Sequence, residues 1–158
     1  MQKRFINKKI VQSIVLSKDM GLLGVLLVFS ISFAPAFAST GLERVSIIDP
    51  KLVNAFDVPL GNSINVDQQV QISADVINNQ EKSQKIAYLV QVKNEKDFVV
   101  SIGWVVGVEL NPHQKFDQSL SWIPKEAGNF TAEIFVWEGF PINHKALTEH
   151  TTLQINVS

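Results

Sequence analysis

The sequence predicts an all-β fold, an immunoglobulin-like antiparallel β-sandwich of about seven strands behind an N-terminal signal-peptide helix, and three observations carry that reading. Apolar and polar residues alternate with period two along several segments, the mark of half-buried strands. Turn-forming residues separate those segments at short, regular intervals. After residue 38 no segment places apolar residues at i, i+3, i+4 and i+7, so no amphipathic helix is expected there.

The first element is a leader. Lys3, Arg4, Lys8, Lys9 and Lys18 form a basic start, and Met20 to Thr40 carries no charge. Ala36-Phe37-Ala38 closes it with small residues at the two positions that a signal peptidase reads. Residues 1–38 are therefore expected to be a secretory signal peptide, and residues 39–158 the sandwich domain. Retention as a membrane anchor is the alternative, because Met20 to Ala38 is just long enough to span a bilayer. Pro35 and the small-residue site favour cleavage. In both cases the folded part is expected outside the cytoplasm, extracellular or at the cell surface.

The strands follow in order. Val45 to Ile48 is a short first strand, stopped by Asp49-Pro50, and Leu52 to Asn65 is expected to be an irregular arm. Gln69 to Ile77 alternates without error, with Val70, Ile72, Ala74 and Val76 on one face. Asn78-Asn79-Gln80 turns the chain. Ile86 to Lys93 sets Ile86, Tyr88, Val90 and Val92 to one side. Phe98 to Val106 is apolar on both faces, and its Gly103 reads as a bulge or bend. Phe116 to Ile123 ends at Pro124, and Glu126 to Asn129 makes a tight turn. Phe130 to Trp137 directs Phe130, Ala132, Ile134 and Val136 inward, and Thr151 to Val157 does the same with Leu153, Ile155 and Val157. In sandwich nomenclature these are strands A, B, C, C′, E, F and G.

Two stretches carry a resemblance. Ser121-Trp122-Ile123-Pro124-Lys125-Glu126-Ala127-Gly128-Asn129-Phe130-Thr131-Ala132 resembles the E–F corner of fibronectin-III-like surface domains. The run from Gln69 to Asn79 resembles the B strand of the same group. Together they resemble small archaeal-type extracellular proteins that have a signal peptide and one immunoglobulin-like or fibronectin-III-like domain. The resemblance covers roughly Val66 to Val157 and implies fold more than function, because such sandwiches host unrelated roles.

Charge and cysteine usage exclude several classes. The chain has 14 basic and 15 acidic residues; without the leader's five basic residues and Asp19, 9 and 14 remain, a net of −5. No basic stripe suits a phosphate backbone, so nucleic acid is not an expected partner, and a membrane is met only through an uncleaved N-terminal segment. The absence of cysteine removes disulfides, thiolate metal sites and a cysteine nucleophile. Packing alone must hold the domain, which about 120 residues can sustain.

No catalytic constellation is legible, so an enzyme is not expected and no cofactor is implied. No G-x-S-x-G elbow or serine–histidine–aspartate arrangement has a convincing context. Asp75 and Glu133 fall on outward strand positions, where a solvated charge is the ordinary expectation. His113, His144 and His150 lack metal-ligand spacing. The alternative, a divalent ion held by His144, His150 and Glu149, yields to solvated loop histidines as the expectation. Asn129-Phe130-Thr131 is an N-glycosylation triplet, with Asn129 read as a turn residue, and Asn156-Val157-Ser158 is a second triplet at the chain end.

One feature breaks the alternation. If Phe130 to Val136 face inward at every second position, Phe135 and Trp137 point outward, beside Leu89 of the neighbouring strand. Leu89, Phe135 and Trp137, with Phe140 in the following loop, form a candidate interaction patch, since large exposed apolar patches mark interfaces. Cover by the arm Leu52 to Phe56, or by Phe140-Pro141-Ile142, is the competing expectation, and the favoured one. Trp104 and Trp122, each among apolar neighbours, are expected in the core.

The expected function is a non-catalytic secreted or cell-surface protein whose sandwich offers an adhesion or assembly surface. Its partner would be another extracellular or envelope protein, or a second copy. The alternative is an extracellular accessory subunit that binds a sugar, peptide or metal at the F–G loop.

Overall fold

The structure, a computed structural model, describes residues 41–140 and 143–158. The leader and the pair Pro141-Ile142 lie outside the described residues, as does the expectation of a signal-peptide helix.

Among the described residues nine strands make two sheets: β1 (Val45–Val53), β2 (Pro59–Leu60), β3 (Ser63–Ile64), β4 (Val70–Asn78), β5 (Gln84–Asn94), β6 (Val99–Leu110), β7 (Lys115–Trp122), β8 (Gly128–Trp137) and β9 (Thr151–Val157). The four-stranded sheet has the order β2-β1-β4-β7 and the five-stranded sheet β3-β9-β8-β5-β6. Strands A, B, C, C′, E, F and G of the sequence reading are β1, β4, β5, β6, β7, β8 and β9. Pairing is antiparallel except where β3 joins β9.

The alternation sets the core. Val70, Ile72, Ala74 and Val76 of β4 meet Ile86, Tyr88, Val90 and Val92 of β5 and Phe130, Ala132, Ile134 and Val136 of β8 in one buried cluster. Trp122 belongs to that core and packs edge-on against Phe130, with ring centroids 5.4 Å apart. Such aromatic pairs add to plain area burial.

The first strand does not stop at Asp49-Pro50. Ile48 pairs with Asp75 and Lys51 with Ser73, so the strand takes up one extra residue and continues to Val53. Asp49 accommodates it at φ 52°, a conformation that aspartate tolerates better than most residues. The segment expected as an irregular arm holds the end of β1 together with β2 and β3. It crosses from the edge of one sheet to the edge of the other. Short loops supply their own hydrogen bonds: the Asn54 side chain accepts from the Phe56 and Val58 amides, and that of Asn94 from Lys96 and Phe98.

Gly103 is not a bulge. The irregularities of β6 fall nearer its ends, opposite the Ile86/Ala87 and Val92/Lys93 steps of β5. Gly103 faces Leu120 of β7, whose methyl carbon would lie 3.5 Å from an added Cβ, an ordinary van der Waals contact.

Candidate interaction face

The solvent side of the five-stranded sheet carries the candidate site. Along β5, Ala87, Leu89 and Gln91 point outward, and each has a partner on both flanking strands. Trp137 and Val106 flank Ala87; Phe135 and Trp104 flank Leu89; Glu133 and Ile102 flank Gln91. Two of these three rows are wholly apolar. Leu89 in the centre is only 7% exposed, whereas Trp104 and Ile102 on the edge strand are 49% and 57% exposed. Leu89, Gln91, Ile102, Phe135 and Trp137 line a shallow depression of about 190 Å³.

The F–G segment borders this face. The His150 ring stacks on Phe135 with centroids 5.2 Å apart and planes at 24°. Phe140 meets Trp104 edge-on at 5.4 Å. Below the apolar rows lies a polar one, in which Glu133 accepts from the Gln91 amide and, at 2.9 Å, from the Lys93 ammonium. Burial opposes ionisation of Glu133, yet these two donors outweigh it and hold its carboxyl below the usual range.

Leu89, Phe135 and Trp137 come together on this face. Phe140 of the following loop packs on Trp104 of the far strand, as the competing expectation of a loop cover has it, and the rest of that cover, Pro141-Ile142, lies outside the described residues. The arm cannot be the cover. Leu52 and Val53 are buried within the four-stranded sheet, and Phe56 at the following turn is 87% exposed. Trp104, expected in the core, lies on the outer face instead. With Ile102 and Val106 it extends the patch onto β6, which the sequence reading missed. The available signal was that β6 is apolar on both faces, which an edge strand with one solvated side does not need for the core.

The remaining candidates lie elsewhere. Asp75 does point away from the core, but it is buried rather than solvated, and the Lys115 ammonium pairs with it at 2.7 Å. His113 pairs with Glu81 at 3.1 Å. His144 sits against Gly139, and His150 is engaged with Phe135. Among the described residues no three histidine, aspartate or glutamate side chains are grouped to hold a metal ion. Asn129 is exposed on β8 rather than in a turn. It is the cross-strand partner of Asn156, so the two glycosylation triplets are neighbours. Its amide donates to Glu95 at 2.7 Å and its carbonyl accepts from Asn156 at 2.9 Å.

No protein-family model matches the chain. No curated protein matches it in sequence. Solved structures do match in fold. The C-terminal domain of Wzt superposes with a TM-score of 0.63 at 14% identity, over 80% of each chain. The CARDB domain of a Pyrococcus furiosus protein gives 0.50 at 14%, over 72% of this chain and 94% of that one. A cycloisomaltooligosaccharide glucanotransferase of Paenibacillus sp. gives 0.51 at 18%, over 74% of this chain but only 14% of the enzyme. These likenesses are of the β-sandwich itself.

Proposed function

We propose that this chain is a non-catalytic, exported or cell-surface protein with an immunoglobulin-like sandwich, and that the solvent face of β5, β6 and β8 is its adhesion or assembly surface. One observation carries the reading: the aromatic residues of this face, half-buried Phe135 and Trp137 and half-exposed Trp104, lie flat on a sheet instead of lining a concave loop cleft. Trp104 on β6 and Phe135 and Trp137 on β8 flank Leu89 on the strand between them. A flat apolar centre with a polar rim is the anatomy of a protein–protein contact. A small-molecule site is usually a deeper cleft.

The alternative, a ligand held by His144 and His150 in the F–G loop, has less support, because His150 packs on Phe135 at the border of the sheet face. Export is inferred from the basic start, apolar run and Ala36-Phe37-Ala38 site of the leader.

The test is retention of envelope proteins by the full chain and by the Trp104→Ser, Trp137→Ser double variant. Loss of the retained set, with circular dichroism unchanged, is the expected result. Identical retention by the correctly folded variant would contradict the reading.

A further inference from the structure

The sequence holds two N-x-Ser/Thr triplets, and the fold treats them differently. Asn129 and Asn156 are cross-strand partners, both exposed on the outer side of the five-stranded sheet. Asn156 lies within β9, with β8 on one side and β3 on the other. Its backbone amide donates to the Asn62 carbonyl at 2.8 Å, and the Ser158 amide donates to that of Ile64 at 3.0 Å. The second triplet is therefore held along its length by a neighbouring strand. Asn129 is the second residue of β8, just after the loop from Ile123 to Ala127. Pairing of β8 with β5 begins only at Phe130. On that side the Asn129 backbone amide meets the Glu95 side chain, at 3.1 Å, instead of a strand carbonyl. Backbone opens most readily at such element ends.

We infer that Asn129, and not Asn156, carries an N-linked glycan. The inference rests on the export reading above, because such triplets are used on secreted chains. The co-reactant is an activated glycosyl phosphate, brought by a transferase. Nδ2 of Asn129 bonds to the anomeric carbon of the sugar, the bond from that carbon to the phosphate oxygen breaks, and the phosphate leaves. One of the two amide protons passes to a base of the transferase, and the other stays on nitrogen. That remaining N–H is a donor for the 2.7 Å bond to Glu95, and the side-chain carbonyl still accepts from Asn156 at 2.9 Å. The folded side chain thus accommodates the linkage without losing a partner.

Asn129 also borders two shallow depressions with the chemistry of a sugar seat. One, of about 270 Å³, is lined by Asn62, Ser63, Gln154 and Asn156, whose neutral amides and hydroxyl match the hydroxyls of a sugar. The other, of about 250 Å³, holds Phe98, which is 66% exposed and offers its ring to the C–H face of the first sugar unit. Position agrees with the assembly surface. Asn129 points to the same side as Trp137 but lies eight residues before it on β8, about 26 Å away along an extended strand. A glycan there keeps one end of this side in water and leaves the apolar rows open.

The experiment expresses the full-length chain in the cells that make it, fractionates them, and reads intact mass and a peptide map by mass spectrometry. A mass above that of the polypeptide is expected, with the excess on the peptide that holds Asn129. It should vanish in Asn129→Gln and in Thr131→Ala, and persist in Asn156→Gln and in Thr131→Ser, which restores the hydroxyl that the triplet requires. If Asn129→Gln fails to fold, the peptide map of the native chain decides. An exported chain with Asn129 bare, or with the sugar on Asn156, overturns this inference and leaves the export reading standing. A chain found in the cytoplasm with Asn129 bare overturns both.

Discussion

Leu89 and Trp104 are cross-strand partners on the solvent side of one sheet, and the leucine is sealed while the tryptophan stands half in water. The difference follows from position. Leu89 lies on the central strand of a three-strand patch with Phe135 on its other side, whereas Trp104 lies at the edge, with no strand beyond it among the described residues. Leu89→Ala should therefore cost about 2–3 kcal/mol of stability, in the range of buried leucine truncations. Trp104→Ala should cost about 1 kcal/mol or less in the monomer. Urea titration of the two variants checks the ranking.

Tyr88 is wholly buried, and its hydroxyl has no hydrogen-bond partner among the described residues. Burial, helped by the negative charge of Asp117, pushes its phenol far above the usual range. Tyr88→Phe removes an unpaired polar group and should stabilise the domain by roughly 1 kcal/mol. The sign of its pH effect follows by linkage. A raised folded-state pKa leaves stability intact below the free-tyrosine value of 10.0 and lowers it as pH climbs toward the folded value. Melting curves between pH 8 and 11 should show a smaller alkaline loss for Tyr88→Phe than for the native chain.

Asn78 ties the ends of three strands together. Its buried amide donates to the carbonyls of Lys82 and Asn111 at 2.8 and 3.0 Å, and its own carbonyl accepts from the Gln80 amide at 3.1 Å. Asn78→Ala leaves several of these groups unpaired and should cost about 2–4 kcal/mol. A fall of that size in denaturant stability, with the far-ultraviolet spectrum retained, is the expected outcome.

The two Asx-turn hairpins hold a left-handed aspartate each, Asp57 at φ 61° and Asp97 at φ 62°. An L-residue pays about 1–2 kcal/mol for that conformation, and glycine gives part of this back as unfolded-state entropy. Asp97→Gly should raise stability by about 0.5 kcal/mol. Asn94→Ala, which removes the side-chain acceptor of the same turn, should lower it; thermal melts of the pair check both signs.

How much of this was legible in the sequence varies by element. β4 and β8 were readable because each has one buried face and so shows clean alternation. That same alternation exposed Leu89, Phe135 and Trp137 as outward and apolar. β6 hid its role, since a strand apolar on both faces looks like a buried one, and nothing local says that it lies at an edge. Trp104 was misassigned for this reason. The continuation of β1 past Asp49-Pro50 depends on an extra residue accommodated at a positive φ, a tertiary choice that turn propensity argues against. The burial of Asp75 depends on Lys115 reaching it from the neighbouring strand, a pairing that the register of β4 with β7 creates.

The return from β8 to β9 is fastened to the start of β1, where the Arg44 guanidinium pairs with Glu138 and also reaches the Ala146 carbonyl. The hydrogen bond from Arg44 holds the Glu138 carboxyl below its ordinary value, against a smaller opposing effect of burial. A depressed carboxylate contributes stability above its unfolded pKa and loses it as pH falls through the folded one. Glu138→Gln should therefore flatten the loss of stability on acidification from pH 5 to 3, measured by melting temperature.

The most direct test of the assembly surface is hydroxyl-radical footprinting of Trp104 on cells that make the protein, set against the purified chain at high dilution. Strong labelling of Trp104 in dilute solution and marked protection on the cell, with Phe56 labelled equally in both, is the result this account requires. Equal labelling of Trp104 in the two settings would mean that nothing sits on this face.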